Sequence, residues 1–86
     1  ITYNSGEWVE RAILSCLRQG LETVVVDNAS TDDTLRIVRS HPEVYLIANR
    51  ENRGFAAAAN QGIASLRTQL ILLLNPDAEL ISPLAP

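Results

Sequence analysis

The sequence predicts an α/β fold, an open parallel sheet with alternating helices. Three observations carry this. The run Thr23-Val24-Val25-Val26 is β-branched and apolar without alternation, as suits a strand buried on both faces of a parallel sheet. Between such runs lie segments whose apolar residues recur at helical spacing. The resulting order is strand stub, helix, strand, helix, strand, helix, strand, and this regular alternation implies right-handed crossovers.

Each element can be justified in turn. Ile1 and Thr2 read as the end of a first strand. From Asn4 to Gln19, the residues Trp8, Ala12, Ile13, Cys16 and Leu17 form one apolar helix face. Asn4 is the expected cap, with Glu7 reaching back to it, and Gly20 is the expected stop. A second helix is expected from Ser30-Thr31-Asp32-Asp33, capped by Ser30, with Leu35 and Val38 as its stripe and His41-Pro42 as its end. Glu43 to Ala48 reads as the next strand and Asn49 to Arg53 as a polar loop. Gly54 opens a third helix with the face Phe55, Ala59, Gly62, Ile63 and Leu66. Gln69 to Leu74 is a further strand, broken by Asn75-Pro76-Asp77, and Ala78 to Pro86 reads as a loop.

Composition narrows the function classes. The chain has 86 residues, 47% hydrophobic and 20% charged, with a net charge of −3. This is the balance of one globular domain without a basic face for nucleic acid. The lone Cys16 allows no internal disulfide and no cysteine metal cluster, and it favours a reducing compartment. No apolar run reaches the length of a membrane span. There is no Met, and the sequence opens on Ile1 as if inside a strand, so the expectation is a fragment spanning 1–86 of a longer domain.

In open parallel sheets, ligands bind beyond the carboxyl ends of the strands. Those ends carry Thr2-Tyr3-Asn4, Asp27-Asn28, Asn49 and Asn75-Pro76-Asp77. With the strand order 3-2-1-4, Tyr3, Asp27 and Asp77 ring one crevice. Asp77 is either a ligand for Mg²⁺ or Mn²⁺ or a turn residue. Asp27 either accepts hydrogen bonds from a ligand's ribose or ring nitrogen, or caps the helix that follows. Asn28 has the donor and acceptor needed to read a base edge. Tyr3 either stacks on a base or packs as a half-buried aromatic. Arg53 and Gly54 stand where a loop meets a helix start, which suits phosphate, and Arg53 reads equally as a solvated surface arginine. Phe55, Trp8 and Ala56 to Ala59 read as core and close helix packing, and Cys16 as an inert core residue. His41, at a helix end away from the crevice, takes no catalytic role. No G-x-G-x-x-G, P-loop or G-x-S-x-G is present.

Four segments occur together and in order: Ile1-Thr2-Tyr3-Asn4; Val25-Val26-Asp27-Asn28-Ala29-Ser30-Thr31-Asp32; Asn52-Arg53-Gly54-Phe55 with Asn60-Gln61-Gly62; and Leu73-Leu74-Asn75-Pro76-Asp77-Ala78. Together they resemble the family 2 glycosyltransferases of the GT-A fold, especially the rhamnosyltransferase-like group. The resemblance implies a Rossmann-like nucleotide-binding half, truncated before the acceptor half. It also implies an inverting transfer from a nucleotide-diphosphate sugar of the UDP or dTDP type to a saccharide or lipid-linked acceptor, in cell-envelope polysaccharide biosynthesis.

The resemblance extends to single residues. Tyr3, Asp27, Asn28, Arg53 and Gly54 would line the nucleotide. Asp77 would be the last residue of the family's D-x-D motif and would hold Mg²⁺ or Mn²⁺. Asn75 stands at that motif's first position and leaves a single carboxylate. No residue here matches the family's catalytic base, which lies in its second half, and Glu79 is not assigned that role. The expectation is a cytoplasmic protein, with peripheral attachment at the inner membrane face as the alternative. The fragment is expected to be inactive alone and prone to self-association through uncovered surface. The competing readings are another nucleotide-sugar or nucleotidyl enzyme on the same kind of sheet, and a non-catalytic α/β module.

Overall fold

The computed structural model describes residues 1–66. They form α1 (Val9–Arg18), β1 (Val24–Asn28), α2 (Thr34–Arg39), β2 (Tyr45–Asn49) and α3 (Gly54–Ser65). Strands β1 and β2 are parallel, with Val24 opposite Tyr45 and Asn28 opposite Asn49. Thr2 bridges Asp27 in parallel on the free side of β1. Its N–H donates to the Val26 carbonyl at 2.9 Å, and its carbonyl accepts from the Asn28 N–H at 2.8 Å. The lateral order is therefore β2, β1, Thr2, the first three places of the expected 3-2-1-4. The expected strand at 69–74, the Asn75-Pro76-Asp77 turn and the tail lie outside the described residues.

Alternation along β1 assigns the two faces. Val25 packs with Val9 and Ile13 of α1, Val38 of α2 and Val44, joined at the margin by Leu17, Ile37 and Leu46. Val24 and Val26 point the other way, against Gly62 of α3. Helices thus cover both faces, which explains the unbroken valine run. Val9 and Val38 are each 1% exposed, and burial of one valine side chain contributes about 1.5–2 kcal/mol.

The sequence places the helices correctly, and the start of α3 at Gly54, but it misplaces the starts of α1 and α2. Helix α1 begins at Val9, and the expected cap by Asn4 and Glu7 is absent. Asn4 instead adopts a left-handed φ of 48° and turns its side chain to the next loop, accepting from the Thr31 N–H at 2.8 Å. The Ser5 carbonyl takes the first helical N–H groups, those of Trp8 and Val9. The C-terminus follows expectation. Gly20 has a φ of +70°, its N–H reaches Leu17 and the Leu21 N–H reaches Cys16, the paired bonds that close a helix through a left-handed residue.

Helix α2 begins at Thr34, because Ser30 is engaged elsewhere and the Asp32 side chain accepts from the Thr34 N–H at 3.0 Å. In α3 the buried stripe is Ala58, Ala59 and Gly62, whereas Phe55 is 63% exposed and Ile63 42%. The small residues face the sheet because α3 lies too close to β1 for large ones: a methyl group on Gly62 would lie 3.4 Å from Val26 Cγ2. Trp8 is likewise 47% exposed and outside the core, and Val9 takes its place.

Candidate functional site

At the carboxyl end of β1, two consecutive polar side chains are buried on opposite faces, Asp27 at 0% exposure and Asn28 at 3%. Each organises a different loop. Asp27 lies on the α1/α2 side. Its Oδ1 accepts from the Thr2 hydroxyl at 2.6 Å and the Ser30 hydroxyl at 2.6 Å, and its Oδ2 accepts from the Ser30 N–H at 2.9 Å. The carboxylate therefore ties the strand stub bearing Tyr3 to the loop leaving β1.

The two loops are also clasped farther out. The Ser30 hydroxyl oxygen accepts from the Asn4 N–H at 2.8 Å, and the Ser5 N–H donates to the Thr34 hydroxyl at 2.8 Å. The Gly6 N–H donates to Asp32 Oδ2 at 3.0 Å. The Thr34 hydroxyl, with the Thr34 and Gly6 N–H groups, holds the Asp32 carboxyl below its ordinary range. Ala29, between Asn28 and Ser30, sits at a left-handed φ of 66°, which a non-glycine residue adopts at a cost.

Asn28 faces α3. Its Oδ1 accepts from Asn49 Nδ2 at 3.1 Å and from the Arg53 N–H at 3.3 Å, and its Nδ2 donates to the Gly54 carbonyl at 3.3 Å. Asn49, opposite Asn28 in the sheet, exchanges two 2.8 Å hydrogen bonds with Gln61 of α3. Gly54 starts α3 at a φ of +81°, and its N–H is held by Asn52 Oδ1 at 2.8 Å. That conformation favours glycine.

Of the sequence-expected residues, the structure joins Asn28 directly to Arg53 and Gly54, and joins Asp27 to Thr2, the neighbour of Tyr3. Tyr3 is 53% exposed, and Arg53 and Gly54 are exposed as well. Asp77 lies outside the described residues. Among the described residues, no group of three or more His, Cys, Asp or Glu side chains is placed to hold a metal. The sequence reading placed Asn49 at a strand end and Gln61 in the Asn60-Gln61-Gly62 motif but gave neither a role. The available signals were the strand-end register of Asn49 with Asn28 and the position of Gln61 two helical turns beyond Gly54.

Other chemistry-bearing groups lie away from this end. His41 pairs with Glu10 at 2.7 Å. Burial pushes the half-buried Cys16 thiol up, away from reactivity. A hollow of about 470 Å³ lined by Glu22, Thr23, Tyr45 and Leu66 opens at the opposite, amino end of the strands. No helix among the described residues is long and apolar enough to cross a membrane.

Comparison with known proteins gives this arrangement a family. The chain is 42% identical over 80 residues to the succinoglycan biosynthesis protein ExoO of Rhizobium meliloti, covering 87% of this chain and 23% of that protein. It is 35% identical over 82 residues to chondroitin synthase of Escherichia coli, covering 87% of this chain and 12% of the synthase. An uncharacterized glycosyltransferase of Haemophilus influenzae is 32% identical over 82 residues, covering 87% of this chain and 33% of its own length. The chain thus spans less than a quarter of the first two relatives. The family model for glycosyl transferase family 2 matches residues 1–82. With helices on both faces of a parallel sheet and its polar groups gathered at the carboxyl ends of the strands, the chain belongs to glycosyl transferase family 2.

Proposed function

We propose that this chain carries the donor site of an inverting glycosyltransferase that moves a sugar from a nucleotide-diphosphate sugar to an acceptor hydroxyl. The observation that supports the reading best is the pair of hubs at the end of β1. Asp27 and Asn28 hold two loops beside one another, and those loops present Tyr3 on one side and Arg53 and Gly54 on the other. An exposed tyrosine ring can stack on a base. An arginine beside a helix N-terminus suits a diphosphate. Asn28 holds the loop before α3, and Asp27 acts on the nucleotide through the loop that it fixes.

In this reading the donor is a UDP or dTDP sugar, and the acceptor is a saccharide or a lipid-linked saccharide. The relatives named for succinoglycan biosynthesis and chondroitin synthesis support a role in polysaccharide assembly. The rhamnosyltransferase-like subgroup is retained on the Asn75-Pro76-Asp77 sequence alone, and the place of action is the cytoplasm or the inner membrane face. A divalent ion, Mg²⁺ or Mn²⁺, is assigned to Asp77, where it would neutralise the diphosphate. The described residues offer no metal site of their own, so no step is assigned to the ion.

Calorimetric titration of the full chain with UDP and dTDP, with and without Mn²⁺, tests the reading. Binding that requires the ion and disappears in Asp77→Ala is the expected result. Absence of binding by a chain shown to be folded overturns the donor site.

A further inference from the structure

We infer that Asn49 and Gln61 are positioning residues for the nucleotide subsite: they hold the Asn28 carboxamide in place and, through it, the backbone at Arg53 and Gly54. The inference rests on the donor reading above and extends it to two residues outside the exposed rim.

Asn28 meets a backbone donor, the Arg53 N–H, and a backbone acceptor, the Gly54 carbonyl, so its amide can satisfy both in one orientation only. That orientation presents Oδ1 to Asn49, which must answer with Nδ2. Asn49 then has Oδ1 left for Gln61, whose Nε2 donates to it at 2.8 Å while Gln61 Oε1 accepts from Asn49 Nδ2 at 2.8 Å. Four groups on β1, β2, the following loop and α3 thus form one chain with a single consistent direction. Among the described residues, Asn28 is the buried member of that chain that touches the loop, and the polarity runs outward from the Arg53 and Gly54 backbone, so Asn49 and Gln61 answer the orientation of Asn28 and hold it there.

A paired amide of this kind is not required for packing. Replacing both partners by apolar groups of the same shape is close to neutral for stability, whereas removing one leaves the other unsatisfied. What an apolar pair cannot do is donate the third hydrogen bond that holds Asn28 in that orientation. The amides therefore act on the geometry of the loop rather than on the stability of the fold.

The experiment uses the full chain and three readouts: thermal unfolding, amide exchange at Arg53, and titration with UDP and dTDP in Mn²⁺. The double variant Asn49→Leu/Gln61→Leu is expected to remain folded, to exchange the Arg53 amide faster, and to bind the preferred nucleotide about tenfold more weakly, the effect of losing one well-placed hydrogen bond. Gln61→Glu places an acceptor against Asn49 Oδ1. Its affinity relative to the unaltered chain is expected to fall at neutral pH and to recover as acid restores an O–H donor.

A folded double variant with unchanged affinity and unchanged Arg53 exchange overturns the inference and leaves the donor reading intact. Failure of both variants to fold overturns it too, because the pair is then structural. Absence of nucleotide binding by the unaltered chain overturns the donor reading and the inference with it.

Discussion

Asp27→Asn is the sharpest test of how the strand end is built. The carboxylate is wholly buried and accepts three hydrogen bonds, at 2.6, 2.6 and 2.9 Å. The amide keeps the shape, but it turns charge-assisted bonds into neutral ones and sets one N–H against a donor. A hydrogen bond to a charged group contributes about 1.5–3 kcal/mol and a neutral one about 0.5–1.5. Three bonds each weakened by about 1 kcal/mol give a loss near 3 kcal/mol, a large share of a domain's 5–15 kcal/mol.

Urea unfolding at constant m-value measures the loss, and a double-mutant cycle with Ser30→Ala isolates its cause. Because Ser30→Ala removes one of the three donors, the hydroxyl, and keeps the N–H, a coupling of about 1 kcal/mol is expected. Additivity within about 0.3 kcal/mol, or an unchanged midpoint for Asp27→Asn, refutes the reasoning. Loss of nucleotide affinity with stability intact would mean that Asp27 meets the nucleotide itself rather than the loop.

Three further outcomes follow from the same geometry. Gly62→Ala is expected to raise stability by about 0.5–1 kcal/mol, since the added methyl reaches ordinary contact distance from Val26 and alanine favours the helix, whereas Gly62→Val is expected to lower it; urea unfolding distinguishes them. Ala29→Gly relieves the left-handed φ of 66° and is expected to be neutral or to stabilise by up to about 1 kcal/mol, where an ordinary exposed alanine would lose stability; thermal unfolding reads the sign. The Asp32 carboxyl is held low in the folded state, so its contribution is complete above the unfolded value of about 3.9 and is lost as pH falls through the folded value. The stability gap between the protein and Asp32→Asn should therefore stay constant from neutral pH to about 4 and narrow below it.

Much of the fold was legible because patterning and punctuation agree. The valine run and Gly20 both mark what the structure contains at those positions. The start of α3 at Gly54 was legible, but the starts of α1 and α2 were not. Asn4 and Ser30 are good caps in isolation, and both are used across the chain instead, in bonds to residues about 26 positions away. Aromatic residues misled for a related reason. Trp8 and Phe55 are apolar at helical spacing, but the sheet is approached by valines and alanines, whose small size lets the helices lie close. The strand-end rule pointed to Asp27 and Asn28, which the structure buries at the end of β1. For Asp27 the sequence left a local capping role open, but neither its bond to Thr2 nor the partners of Asn28 could be read, because they are set by the crossing of separate segments. Gln61 lay in a helix whose neutral polar residue gave no sign of its partner.

The alternation at the end of β1 has a consequence for how such a sequence can change. Asp27 and Asn28 are joined by one peptide bond yet serve separate sets of partners on separate faces. The strand end is therefore a junction with two independent outputs. The loop before α2 can be lengthened or rewritten around Asp27 without disturbing the loop before α3, and the reverse holds for Asn28. An insertion or deletion inside β1 has no such freedom: a shift of one residue exchanges the two outputs and sends each side chain to the other's partners. The geometry therefore confines length variation to the loops and holds the strand to a fixed count of residues.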